Sequence, residues 1–213
     1  MMRILDLFCG VGGSAMGIHQ VCPKAEIVGV DLKDQPRYPF HFIQADALKF
    51  DDGGFDFIWA SPPCQHYTQM LNHGLTDRDK HPDLVAKTRR KLIKSGLPWV
   101  MENVPNSPLR KDLVLCGEMF GLRVTRHRVF ECNFPVPQPE HIPHRGIGIR
   151  NQKEGGYYFR VYGHETGKRQ WGEAMGMTGA KWVKGQPKYY EIAQAVPPAY
   201  AKYIFGYVGK SSI

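Results

Sequence analysis

Arg3-Ile4-Leu5-Asp6-Leu7-Phe8-Cys9-Gly10-Val11-Gly12-Gly13-Ser14 is the stretch that decides the fold. Residues 3–8 alternate into a short apolar strand, Cys9 to Gly13 form a glycine turn, and Ser14 to Val21 place Ala15, Ile18 and Val21 on one helical face. A strand, a glycine turn and a helix in that order open an α/β fold. The same turn resembles a nucleotide-binding loop, because glycine lets backbone approach a ligand closely and a helix N-terminus follows. A tight turn with no ligand reads the same way. No Lys-Ser/Thr pair follows the glycines, so a triphosphate loop is not indicated, and an adenosine cofactor without a phosphate clamp fits better.

Outward from this unit, further strands each stop at a polar group. Glu26 to Val30 ends on Asp31, placed where an acid binds ribose hydroxyls in such units. His41 to Gln44 ends at Ala45-Asp46, where Asp46 reads either as an adenine partner or as a surface turn. Phe55 to Ala60 runs into Ser61-Pro62-Pro63-Cys64-Gln65, and Trp99 to Glu102 runs into Asn103-Val104-Pro105. A basic amphipathic helix spans Asp83 to Ser95 and closes at Gly96. Strands alternating with helices specify an α/β fold with a mostly parallel sheet, whose ligands belong at the carboxyl ends of the strands.

Past Cys116 the pattern changes. Met119 to Val124 and His127 to Phe134 read as a hairpin, and Pro135 to Lys168 as a loop-rich insert with one or two strands. Helices follow near Gln170 to Met175 and from Pro197-Pro198 to Phe205, with prolines where a first helical turn tolerates them. The expected organisation is a core over residues 1–132, a short insert over 133–168, and C-terminal helices over 169–213 that complete the core.

The 213 residues suit one catalytic body, expected to be monomeric. A formal charge of +8 suits a polyanionic partner as well as plain solubility. Five irregularly spaced cysteines read as reduced thiols, and no apolar run reaches the roughly 18 residues of a membrane helix, so a cytoplasmic location, bacterial or in a virus-infected host, is expected. Cys132, His141 and His144, with His127 just before, match no paired metal-ligand spacing, and no metal is expected.

Two adjacent prolines hold the backbone before Cys64 near φ of about −65° and extended, which presents a thiol on a rigid loop. Taken alone, Cys64 reads equally as a buried structural cysteine. Glu102 ends a strand expected to lie beside it, and Arg126 and Arg128 stand two apart, on one face of a strand. A cysteine, an acid and two arginines near an adenosine cofactor suggest covalent activation of an electron-poor ring.

Asp6-Leu7-Phe8-Cys9-Gly10-Val11-Gly12-Gly13, Pro63-Cys64-Gln65, Glu102-Asn103-Val104 and Arg126-His127-Arg128 follow one another in the order found in cytosine-5 DNA methyltransferases. The chain resembles that family over residues 3–132 and, more loosely, from Trp171 to Phe205. The resemblance implies a Rossmann-like AdoMet-dependent methyltransferase fold that methylates carbon 5 of cytosine in double-stranded DNA. It places S-adenosyl-L-methionine against Asp6, Phe8, Gly10, Gly12, Gly13, Asp31, Leu32, Asp46 and Ala47. Catalysis falls to Cys64, Glu102, Arg126 and Arg128, with the target base flipped out of the duplex. Gln65, Arg145, Arg150 and Arg160 are expected at the DNA. Three departures stand out: Val124-Thr125 replaces a glutamine ahead of the arginines, Leu32 replaces a larger residue, and Ala193-Gln194-Ala195 replaces a Gly-Asn pair before Val196-Pro197. The short insert implies short or relaxed target specificity. A tRNA-type cytosine-5 methyltransferase and an inactive DNA-binding relative are the alternative readings, and restriction-modification is one of the roles open to the DNA methyltransferase.

Overall fold

The computed structural model describes residues 1–67, 81–141, 159, 161, 170–178, 185 and 187–210. Seven strands form one sheet: β1 Arg3–Leu7, β2 Glu26–Asp31, β3 His41–Gln44, β4 Phe57–Ala60, β5 Trp99–Asn103, β6 Leu113–Leu115 and β7 Arg128–Cys132. Their order is β3-β2-β1-β4-β5-β7-β6. The first five run parallel, while β7 pairs antiparallel with both β5 and β6. Strands β1, β4 and β5 are buried almost throughout, as expected of a parallel sheet covered on both faces.

The helices are α1 Gly13–Val21, α2 Val85–Ser95, α3 Gln170–Ala174, α4 Tyr189–Gln194 and α5 Pro198–Phe205. One face of the sheet carries a cluster of Ile4, Ile18, Phe57, Trp59, Phe130, Tyr200 and Ile204, which α1 and α5 help to build. The other carries Leu5, Val28, Ile58, Val85, Leu92 and Met101, to which α2 contributes. Helix α2 shows the expected division: Val85, Thr88 and Leu92 are buried and its lysines mostly face solvent. No helix among the described residues is long and apolar enough to cross a membrane.

The expected hairpin pairs different residues from those the sequence suggests. Residues 119–124 form no strand; Gly117–Phe120 is a 3₁₀ turn, and the partner of β7 is the three-residue β6 upstream of it. A three-residue strand carries too little periodicity to be read beside the longer apolar run that follows. Helix α4 was also missed, because six residues give less than two turns of pattern.

Helices α1 and α5 touch backbone to backbone. A Cβ at Gly17 would lie 2.1 Å from Pro198 O and 2.9 Å from Lys202 N. Gly17→Ala should therefore destabilise the protein, because overpacking of about 1–3 kcal/mol exceeds the gain of about 1 kcal/mol in helix propensity. A lower denaturant midpoint for the variant checks this; an equal or higher midpoint would show that the two helices can part without loss.

Candidate active site

Four chain segments meet at the carboxyl edge of the sheet. Cys64 stands four residues past β4, and Glu102 is the penultimate residue of β5, the next strand over. Because β7 runs antiparallel, its first residue, Arg128, lies at the edge where the parallel strands end. The register Glu102↔Phe130 and Asn103↔Val129 brings Arg128 alongside Glu102. The pair closes as an ion pair, Nε to Oε1 at 2.9 Å, with side chains only 12% and 8% exposed.

The rigid loop is pinned on two sides. Asn103 Nδ2 donates to Pro62 O at 3.0 Å, so the strand that ends in Glu102 also holds the backbone leading to Cys64. Trp59 Nε1 donates to Ser61 Oγ at 3.0 Å. Asn103 lies inside the Glu102-Asn103-Val104 motif, yet its role in holding the loop depends on β4 and β5 being neighbours, which sequence spacing does not state.

Burial pushes the Cys64 thiol above its ordinary range, opposed by Arg128 and Arg126 and reinforced by Glu102. The basic setting therefore does not leave a resting thiolate; desolvation outweighs it. Glu102 is shifted upward by the same cause, against the pull of Arg128, Arg126 and a hydrogen bond with Ser61. A carboxyl nearer neutrality can donate a hydrogen bond to a ring nitrogen as well as accept one from an amine.

Arg126 behaves differently from its neighbour. Strand β7 begins only at Arg128, so the alternation expected to set both arginines on one strand face does not apply. Arg126 donates to Val161 O at 3.3 Å and to Ala193 O at 2.5 Å, tying Val161 and the end of α4 to the site. Its backbone carbonyl accepts the Tyr200 hydroxyl at 2.6 Å. Burial lowers its guanidinium pKa to about 9, with Arg128 adding to the effect. Tyr200, fully buried on α5, carried no signal in the sequence as a site residue.

The glycine turn forms a second cradle on the same edge. Phe8, Gly10 and Gly12 all have positive φ, of 57°, 49° and 86°. Phe8 is the residue for which this backbone conformation costs most. Asp31 fixes the turn: its Oδ2 accepts Gly10 N at 3.0 Å and its Oδ1 accepts Lys33 N at 3.0 Å. Beside it Leu32 is 71% exposed, a large apolar side chain at a strand end. A Cβ at Gly10 would meet nothing within 4 Å, so the space above the turn is open. An apolar leucine, a fixed carboxylate and open backbone suit an adenosine group. Asp46 accepts Leu48 N at 3.0 Å in a local turn, and Ala47 is buried in the core rather than open to a ligand.

Asp6 is not part of the open surface. It is fully buried, and its carboxyl takes the hydroxyls of Ser14 at 3.2 Å and Tyr38 at 3.1 Å, so it supports the turn from beneath. Tyr38, missed in the sequence, fills the gap left by two glycines: a Cβ at Gly12 or Gly29 would lie within 2.9 Å or 2.3 Å of its ring. Burial raises the Asp6 pKa to about 8, although Tyr38 and Ser14 pull it down. The folded protein thus holds a proton that the unfolded chain releases near pH 4, and this contribution to stability is full at low pH and is lost as pH rises toward 8. Asp6→Asn should lose stability less steeply than the native protein between pH 5 and pH 8, as read by melting temperature. Parallel profiles would show that Asp6 is ionised in the fold.

Of the residues expected at DNA, Gln65 lies in a short 3₁₀ turn directly after Cys64. Arg145, Arg150 and Arg160 lie outside the described residues, as do most of residues 142–169. Phe159 and Val161 are buried against Val124, Trp171 and Met175, so these two side chains face a core rather than a ligand. A groove of about 1010 Å³ lined by Arg89, Trp99, Arg110 and Glu131 opens at the start of β5, the opposite end from Cys64. There Glu131, 2% exposed, is held by Arg89 at 2.6 Å, an ion pair that joins α2 to β7.

No protein-family profile matches the chain. A human tRNA (cytosine(38)-C(5))-methyltransferase is 31% identical over 90 residues, covering 36% of this chain and 23% of its own length. A probable DNA (cytosine-5)-methyltransferase of Frog virus 3 (isolate Goorha) is 33% identical over 95 residues, 40% of this chain and 42% of its own. The matched stretch is thus less than half the length of either relative. In structure, the S. pombe Dnmt2 methyltransferase superposes with a TM-score of 0.64 at 13% identity, covering 99% of both chains. The Entamoeba histolytica methyltransferase EhMeth gives 0.62 at 13% identity, over 100% of this chain and 99% of its own. The fold is therefore Rossmann-like, of the methyltransferase kind.

Proposed function

We propose that this chain, which resembles the cytosine-5 methyltransferases, transfers a methyl group from S-adenosyl-L-methionine to carbon 5 of cytosine in double-stranded DNA. The observation that carries the reading is the meeting of Cys64, Glu102 and Arg128 at one sheet edge, beside a turn fit for an adenosine group. The cofactor supplies an electrophilic methyl. Asp31 would take its ribose, Leu32 and Phe8 its adenine, and the Gly10 to Gly13 backbone the chain bearing the sulfur.

The residues of the chain then divide the work on the base. Cys64, once deprotonated, adds to carbon 6 of a flipped cytosine and makes carbon 5 nucleophilic. Glu102 bonds the ring nitrogen and exocyclic amine, and protonates or stabilises the ring as its electrons shift. Arg128 holds Glu102 in place and can turn a donor to the base oxygen. Carbon 5 takes the methyl and loses its proton to a base; the electrons return to the ring bond as Cys64 leaves. Arg126 holds Val161 and the end of α4 beside these groups.

A second reading has support of its own, since one of the matched relatives is named for tRNA: the same chemistry on a tRNA cytosine. Incubation with labelled S-adenosyl-L-methionine and either duplex DNA or tRNA separates the two. Transfer to DNA alone supports the proposal, transfer to tRNA alone replaces it, and transfer to neither sinks both. With DNA as substrate, the short insert should give relaxed specificity. Bisulfite sequencing of DNA from expressing cells should then show a target of fewer than about six defined bases, and a longer defined site would overturn this expectation.

A further inference from the structure

The hairpin that delivers Arg128 also assembles a second group of side chains. Leu115 of β6 pairs with Arg128 of β7, so the next residue on each side, Cys116 and His127, face one another where the connecting loop leaves the hairpin. The chain then returns along β6. Gln138 bonds both the N–H and the carbonyl of Val114 at 2.8 Å, and Tyr203 on α5 donates to Pro137 O at 3.0 Å. These bonds set His141 edge-on to His127, ring centroids 5.1 Å apart at 72°. Sequence spacing had grouped His141 with Cys132, but Cys132 belongs to the other end of β7 and its N–H goes to Asp112.

Sγ of Cys116 and ring nitrogens of His127 and His141 all lie within 4.8 Å of one another. The two Nε2 atoms are 3.2 Å apart. That separation fits a hydrogen bond between a protonated and an unprotonated imidazole. It also fits the edge of a tetrahedron around one cation, since metal–nitrogen bonds of about 2.0–2.1 Å put two ligand nitrogens about 3.3 Å apart. Backbone N–H groups of Glu118, Gly117 and Arg126 are directed at the sulfur, while burial, reinforced by Glu118, raises the thiol to about 11. Glu118, 8% exposed, has Oε1 at 3.5 Å from His141 Nε2.

We propose that Cys116, His127 and His141 bind one zinc-class divalent cation, with water as fourth ligand. One thiolate and two imidazoles form a borderline-soft set that favours zinc over calcium or magnesium. Binding replaces the thiol proton of Cys116, which passes to solvent, and both histidines ligate as neutral rings. The cation joins the end of β6, the residue between Arg126 and Arg128, and the segment leading to His141. It therefore fixes the backbone from which Arg128 reaches Glu102, a structural clamp one residue from the proposed chemistry.

The test uses the full chain, purified without chelator, stripped, and titrated with Zn²⁺ and then with Co²⁺ as a spectroscopic probe. About one equivalent should bind, and Co²⁺ should give the visible bands of a tetrahedral site together with a thiolate-to-cobalt charge-transfer band. Cys116→Ser should remove the charge-transfer band, and His141→Ala should weaken binding at least about 10-fold. His141 is 31% exposed, so its variant should fold, and circular dichroism of the apo form verifies this where Cys116→Ser does not fold. Absence of stoichiometric binding, or binding by a folded His141→Ala variant equal to that of the native chain, overturns the proposal and leaves a hydrogen-bonded histidine pair. The readout is metal content and spectrum, so it stands whether the nucleic acid methylated is DNA, tRNA or neither.

Discussion

Cys64→Ala should abolish methyl transfer, lowering the rate by at least about 10³-fold, while the protein keeps its fold and its affinity for S-adenosyl-L-methionine. The loss is expected to be this large because no other thiol stands at the site. Cys9, Cys116 and Cys132 are buried, Cys22 caps the far end of α1, and the cofactor's methyl finds no nucleophilic carbon until carbon 6 is occupied. The fold should tolerate the change, since the loop is held by Asn103 and Trp59 rather than by the sulfur. Cytosine carrying fluorine at carbon 5 gives a direct view of the adduct. Fluorine cannot leave as the proton does, so the native enzyme should stay bound to such a substrate through denaturing electrophoresis, and Cys64→Ala should not. Transfer that survived the substitution would falsify the covalent route. Because burial raises the Cys64 thiol, the native rate should still climb with pH through the neutral range, as deprotonation supplies the nucleophile. A rate flat from pH 6 to pH 9 would mean that the thiol is ionised at rest.

Glu102→Gln should lower transfer by about 10²–10⁴-fold, the range for losing a positioned acid. The amide can still accept from Arg128 and still fit the pocket, so the variant should remain folded. It cannot donate a proton to the ring nitrogen. Removing the side chain altogether is a different experiment: Glu102→Ala leaves Arg128 with a buried, uncompensated charge, which costs about 3–5 kcal/mol of stability. A double-mutant cycle separates the two roles. If Arg128 acts chiefly through Glu102, Arg128→Ala should cost far less activity in the Glu102→Gln background than in the native one. Full additivity would show that Arg128 serves the base independently. Equal activity of Glu102→Gln and the native chain would remove the acid from the mechanism.

Much of this candidate site was legible because its residues sit where strands end. Residues such as Asp31 and Glu102 follow apolar runs whose length and β-branched content mark them as strands, and a parallel sheet delivers all such ends to one edge. The glycine turn was legible for a related reason, since Gly10 and Gly12 occupy backbone conformations that other residues adopt only under strain. What stayed hidden were contacts made across the sheet by residues with ordinary local context. Tyr38 is one aromatic among many until two glycines, Gly12 and Gly29, meet beneath its ring. Tyr200 gives no sign in α5 that its hydroxyl will hold the carbonyl of Arg126.

Local pattern determined the alternation of strand and helix, the parallel half of the sheet, and the order of the motif residues, because periodicity and turn chemistry act between near neighbours along the chain. Tertiary structure alone decided the antiparallel partner of β7, the different partners of Arg126 and Arg128, the burial of Asp6 beneath the glycine turn, and the meeting of Cys116 with two histidines. Each of these depends on desolvation and on register between strands distant in sequence. A residue's charge state and partners follow from what surrounds it in space, and the sequence lists only what precedes and follows it.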